Sequence, residues 1–284
     1  MQPTDMEEYL FDLRGYIVLE NAVDADHVAE INAVVDTYFD LGPDAWRGWV
    51  HRADIDGLRH LHNIFEMGTS LERLIDHPSW IDHLRRFVGG DDGLFIDESF
   101  IDIRGRGGAT RMHSGAHKRR IRTQFRFHNN EFRCGQINIL LALGDIGDGD
   151  GATMAIPGSH KSNLLHPAFN APEATGSNRS LDQVEAAVQI QLAAGDAICF
   201  VDCMAHGSAE RTRPGERRIA IIRYGPKWGS DRYGYQPSPA LLARLPPERR
   251  RIVQPLPPRT PPDVPRARCR GRRPCAAPAR ARPE

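Results

Sequence analysis

The chain has 284 residues, about twice a typical domain length, with Lys+Arg 37 balanced against Asp+Glu 37 and a 40% hydrophobic share. That share supplies a sizeable core and excludes a disordered chain, a collagen-like chain and a small disulfide scaffold. The charges are unevenly placed: residues 255–284 hold eight Arg against Asp263 and Glu284, a local +6, which leaves −6 for residues 1–254.

No apolar run approaches the ~18 residues that span a bilayer. The acidic start MQPTDMEEYLFDLRGY lacks the basic-then-apolar layout of a secretory leader. Five cysteines without CxxC spacing predict reduced thiols in the cytoplasm and argue against a zinc site.

In chain order, a short amphipathic turn precedes YIVLE, a first strand. Asp24 then caps a helix with apolar residues at Val28, Ile31, Val34, Val35 and Phe39. Residues 41–69, rich in Gly, His and Trp, read as a long loop or short helices. A helix pair is predicted over 70–77 and 79–88, divided at His77-Pro78 and ended by Gly89-Gly90. Core packing is the expectation for Trp46, Trp49 and Trp80.

From residue 94 the texture becomes strands. LFIDESFIDIR is one, and TQFRFHNNEFRCGQINILLAL reads as two joined at Asn129-Asn130, a pair that tolerates positive φ. ATMAIP, VEAAVQIQL, DAICFVD and RRIAIIRYG follow, each bounded by turn residues. The expected fold is mainly β with flanking helices, a sandwich or barrel in one domain over 1–254. The segment 255–284, with nine Pro and eight Arg, offers almost nothing to bury and is predicted to be a disordered tail. It has no aromatics to stack on bases, so nucleic acid is not the expected partner.

Two segments carry the chemistry: GDIGDGDGATMAIPGSHKSN (144–163) and AGDAICFVDCMAHGSAERTRPGERRIAIIRYGP (194–226). With DLRGYIVLENAVDADHVAEIN, they resemble the phytanoyl-CoA dioxygenase family over roughly residues 8–250. The resemblance implies a double-stranded β-helix (jelly roll) and a non-haem oxygenase using Fe(II) and 2-oxoglutarate, most simply a hydroxylase of a small molecule. Such chemistry needs two imidazoles and a carboxylate on one face of the iron, and a cation for the far carboxylate of 2-oxoglutarate.

His206 matches the family's distal iron ligand, Arg217 the cosubstrate arginine, and Ser208 a position that helps bind the same carboxylate. The proximal His-x-Asp is where the chain departs from the family. His113 is the preferred ligand, with Gly115 in the carboxylate slot, while His128 lies against the Asn129-Asn130 turn. Three readings stay open at the empty slot. Chloride occupies it, as in halogenase variants of the superfamily; or His117 or Glu131 replaces the carboxylate; or the chain is a small-molecule-binding jelly roll without catalysis. GDGDG lacks EF-hand spacing and reads as a turn. His160 reads as structural, and Lys118, Arg119, Arg120 and Arg122 as a solvated run able to steer an anion.

Overall fold

A computed structural model of the chain describes residues 2–55, 58–89, 93–113, 115–116, 120–169, 184–227, 235 and 237–253. It begins with helix α1 (Asp5–Arg14), longer than the turn expected there. Thr4 and Glu7 close its start with a reciprocal capping box, and Gly15 at φ +85° ends it. Strand β1 (Tyr16–Leu19) leads to α2 (Ala25–Asp36), where the Asp24 carboxylate caps by accepting from His27 N at 2.8 Å.

The stretch 41–69 corrects the sequence reading, because much of it is strand. β2 (Trp46–Arg47), β3 (Val50–Ile55) and β4 (Leu58–His62) extend one edge of the main sheet. Their buried anchors are Val50, Leu58 and Leu61, too few to show a period of two, and imidazoles fill the intervening positions. Helices α3 (Thr69–Glu72) and α4 (Ile81–Val88) stand where the helix pair was expected, the first much shortened.

β5 (Leu94–Arg104) is one strand of 11 residues. The region 123–143 needs a second correction. Asn129 and Asn130 do take positive φ (+52° and +61°), but they join only β6 (Phe127–His128) to β7 (Glu131–Phe132). β8 (Ile137–Ala142) is a separate strand of the main sheet. β9 (Thr153–Ala155), β10 (Val188–Ile190), β11 (Ala197–Val201), β12 (His206–Ser208) and β13 (Arg217–Pro226) follow, then α5 (Pro239–Arg244) and α6 (Pro247–Val253).

Among the described residues, the strands form a large antiparallel sheet in the order β1-β11-β8-β13-β5-β4-β3-β2, a small one, β10-β9-β12, and the β6-β7 hairpin. This is the expected jelly roll. Ile101, Ile139, Leu141, Ile222 and Tyr224 on one face of the large sheet join a core with Phe11, Ile31, Leu74, Trp80 and Phe87 from the helical layer. Central strands buried on both faces read as the near-continuous apolar runs seen in INILLA and AICFV. Trp80 is fully buried and donates to Tyr224 Oη at 3.3 Å. Trp46 and Trp49 contradict the core expectation, being 59% and 46% exposed.

Cys134, Cys199 and Cys203 are buried free thiols. Among the described residues, no helix is long and apolar enough to cross a membrane. GDGDG does form a turn, in which Gly147 N donates to the Asp150 carboxylate at 3.0 Å. The 255–284 tail lies outside the described residues.

The PGSHK turn docks on α1, with Gly158 N donating to Arg14 O (3.0 Å) and His160 Nε2 to Asp12 O (2.9 Å). Burial pushes the His160 imidazole down to about 4. The folded state therefore holds it neutral while the unfolded chain takes up a proton below pH ~6.5, so stability falls from that pH toward 4. Between pH 7.5 and 5 this residue is expected to cost about 2 kcal/mol, read as a lower denaturant midpoint. The pH dependence should shrink in His160→Gln, whose amide keeps the bond to Asp12 and cannot titrate.

Candidate iron and cosubstrate site

His206 opens β12, and His113 pairs with it across an antiparallel bridge. His113 N donates to His206 O at 2.8 Å and His206 N to His113 O at 3.0 Å, which adds a rung to the small sheet. Directly opposed residues present their side chains on one face, and the two imidazole centroids are 4.3 Å apart. Each ring donates from Nδ1 to a nearby carbonyl, His113 to Arg111 O (2.8 Å) and His206 to Met204 O (2.7 Å). Both therefore carry their lone pair on Nε2, the tautomer a metal ligand needs. Burial, with His113 alongside, pushes His206 down to about 3, so its ring is neutral near pH 7.

Gly207 makes this approach possible. A Cβ there would stand 2.6 Å from Thr110 O and 2.8 Å from Met112 N, inside the backbone of the segment that carries His113.

β12 belongs to the small sheet and β13 to the large one, so His206 and Arg217 reach one cavity from opposite walls. The cavity measures about 170 Å³ and is lined also by His113, Ser208, Thr153, Phe100 and Asp102.

Arg217 donates to Asp102 Oδ2 (2.8 Å) and to Gly151 O. Arg104 donates to the same carboxylate oxygen (3.0 Å), to Thr110 Oγ1 (2.6 Å) and to Ser208 Oγ. Ser208 Oγ also accepts from Thr110 N at 2.7 Å, so both its lone pairs are taken and its O–H remains to donate.

Two guanidinium groups against one carboxylate leave a buried charge of +1. The Nε–H of Arg104 and of Arg217 have no protein partner. Burial alone would raise the Asp102 carboxyl, but Arg217 and Arg104 hold it below the usual carboxylate range. Burial and Arg217 push Arg104 down to about 10, still a cation at neutral pH. A buried surplus cation with orphan donors is costly until an anion meets it. The sequence reading missed Asp102, Arg104 and Thr110. Its available signal was Asp102 and Arg104 at period two inside a strand otherwise rich in apolar residues.

A family model for phytanoyl-CoA dioxygenase matches residues 11–219. The chain belongs to the phytanoyl-CoA dioxygenase family. Family members depend on Fe(II) and 2-oxoglutarate, and both groups fit the residues present: imidazoles that donate from Nδ1 and keep Nε2 for the metal, and orphan guanidinium donors for a carboxylate. The chain is similar to Dioxygenase cdmD of Talaromyces verruculosus, 32% identical over 101 residues, which are 36% of this chain and 28% of that protein. It therefore spans little more than a quarter of that relative's length.

Solved structures share the fold. HygX from Streptomyces hygroscopicus, with nickel and 2-oxoglutarate bound, has TM-score 0.69 at 18% identity over 84% of this chain and 94% of that chain. The alpha-ketoglutarate-dependent epimerase SnoN of nogalamycin biosynthesis has TM-score 0.58 at 16% identity over 83% and 91%.

Gly115, expected from the sequence in the carboxylate slot, is buried and borders a second hollow of about 380 Å³ with Ile156, Ser159 and Ala205. Glu131 is not brought to the histidines: it is exposed on the β6–β7 hairpin and ion-paired with Arg133 at 2.8 Å. His128 is exposed on the same hairpin, directly opposite Glu131. His117 lies outside the described residues, with Lys118 and Arg119. Arg122 departs from the solvated-run expectation by pairing with buried Asp202 at 2.8 Å. Asp202 couples electrostatically to His206, and His206, Arg122 and Arg223 hold its carboxyl low against burial. Its oxygens accept from Arg122 and from Asn138 (3.2 Å), so it balances charge behind the histidines.

Proposed function

We propose that the chain is an Fe(II)- and 2-oxoglutarate-dependent oxygenase that hydroxylates a small molecule, with His113 and His206 as iron ligands and Arg217 with Ser208 as the cosubstrate anchor. The observation that carries this reading is one cavity with two imidazoles from one wall and a buried +1 charge from the other. Iron and 2-oxoglutarate together supply the oxidising chemistry, coupling O2 reduction to cosubstrate decarboxylation and C–H oxidation. The chain's own part is positional. His113 and His206 are fixed by their bridge and Nδ1–H bonds, Asp102 and Arg104 hold Arg217 and Ser208 in place, and Phe100, Leu140 and Phe200 give the cavity apolar walls. A small-molecule substrate is supported by HygX, also solved with hygromycin B, and SnoN, also solved with nogalamycin RO.

Gly115 favours a second reading, in which chloride completes the iron site and the product is halogenated. Glycine supplies no side chain at the slot, Glu131 is engaged elsewhere, and Asp202 already has partners on both oxygens.

The purified protein with Fe(II), 2-oxoglutarate and O2 is expected to release succinate, faster when its substrate is present. Absence of succinate under all metal loadings would leave a jelly roll that binds and does not oxidise.

A further inference from the structure

The buried arginine pair is met from a third strand. β4 and β13 flank β5, and the register sets His60 opposite Asp102 and Arg217 opposite Arg104. Directly paired residues share a face, so His60 and Arg217 approach Asp102 from the strands on its two sides. His60, Asp102, Ser208 and Arg217 all line the cavity that also holds His113 and His206.

His60 is stacked on Phe100, with centroids 5.1 Å apart and planes 21° from parallel. A stacked ring has one face covered and offers its edge. At that edge Nε2 is buried and has no partner among the described residues. The same holds for Nε of Arg104 and of Arg217, and for Asp102 Oδ1. The cluster therefore sets one unmet acceptor against two guanidinium donors, and an imidazole that can carry its proton on Nε2 adds a third.

Burial pushes the His60 imidazole below its ordinary value, against the pull of Asp102. The ring is thus neutral near pH 7, and the cluster keeps the charge of +1 set by two guanidinium groups and one carboxylate. An incoming carboxylate cancels that charge. It also brings about four lone-pair sites, more than Arg217 Nε–H and the Ser208 hydroxyl can fill. A second polar group at the same wall has a place to donate.

We propose that His60 is a further cosubstrate-binding residue, whose Nε2–H donates to the far carboxylate of 2-oxoglutarate beside Arg217 and Ser208. The proposal rests on the reading of Arg217 as the anchor and adds to it an uncharged donor from β4, a strand outside the segments on which the family resemblance rests. The test is anaerobic calorimetry of the full chain loaded with Ni(II). It is titrated with 2-oxoglutarate and, separately, with 2-oxovalerate, which keeps the carbon chain and the chelating end but has a methyl group in place of the far carboxylate. His60→Phe retains a ring to stack on Phe100 and removes the N–H. It is expected to weaken 2-oxoglutarate about 10- to 100-fold, the scale of one hydrogen bond to a charged group, and 2-oxovalerate by no more than about twofold. His60→Gln, whose amide carries an N–H at similar reach, should recover part of the loss. Unchanged 2-oxoglutarate affinity in His60→Phe, an equal loss for 2-oxovalerate, or no recovery in His60→Gln would each overturn the proposal. Arg217→Ala on the same two ligands reports separately on the anchor. No loss of 2-oxoglutarate there overturns the anchor reading itself, whereas loss there without loss in His60→Phe overturns only the part given to His60.

Discussion

Replacing His206 by Ala is expected to lower Fe(II) affinity by at least about 100-fold and to abolish succinate release. Changing even the partners that orient a metal ligand costs about 10–100-fold, and this change removes the ligand itself. His113→Ala should behave alike, because the two residues form one bridge with matching tautomers. Their backbone N–H and C=O make that bridge, so both variants should keep the wild-type circular dichroism. Anaerobic calorimetry with Fe(II), and with Ni(II) as a redox-stable check, reads the effect. Wild-type affinity in His113→Ala would remove that residue from the site and turn attention to His117.

Arg217→Ala should separate the two ends of the cavity. The expected result is a loss of 2-oxoglutarate affinity of about 100- to 1,000-fold, the scale of truncating one partner of a buried charged contact. Fe(II) affinity should change no more than about twofold, because the ligands sit on the other sheet. The fold should survive, since Asp102 keeps Arg104 as its partner and the buried charge falls from +1 to zero. Asp102→Ala is the harsher change, for it leaves two buried guanidinium groups facing each other. Arg217→Lys restores the charge without the two-pronged donor and should recover only part of the affinity. Parallel loss of iron and cosubstrate binding in Arg217→Ala would contradict the division of roles.

The strand runs of the jelly roll were legible because β8 and β11 are near-continuous apolar runs, β5 and β13 carry long apolar stretches, and all four are bounded by turn residues. β2, β3 and β4 were not, because the face shared by Trp46, His51 and His62 is indole and imidazole rather than aliphatic, and Val50, Leu58 and Leu61 alone are too few to show a period of two. The Asn129-Asn130 turn was read correctly from residue type, but its reach was overestimated, since local turn chemistry says nothing about how far the flanking strands continue.

At the candidate site, the expectation for His206, Ser208 and Arg217 rested on their match to the family motif, and that for His113 on its place in a glycine-containing loop; the structure brings all four to one cavity. Their geometry was not. Only the three-dimensional pairing shows that His206 and Arg217 face each other from different sheets, or that Asp102 and Arg104, more than 100 residues upstream of Ser208 and Arg217, carry the charge balance.

The central claim, that the two histidines and the buried arginines serve one iron-bound cosubstrate, is tested most directly by anaerobic titration of metal-free protein with Fe(II) and 2-oxoglutarate. The readout is the visible charge-transfer band that forms only when 2-oxoglutarate chelates the iron. The account predicts a band that saturates, disappears in His113→Ala and His206→Ala, and needs far more 2-oxoglutarate in Arg217→Ala. Tightening by chloride would favour the halogenating form of the site at Gly115. No band at saturating Fe(II), or one that survives loss of both histidines, would contradict the account.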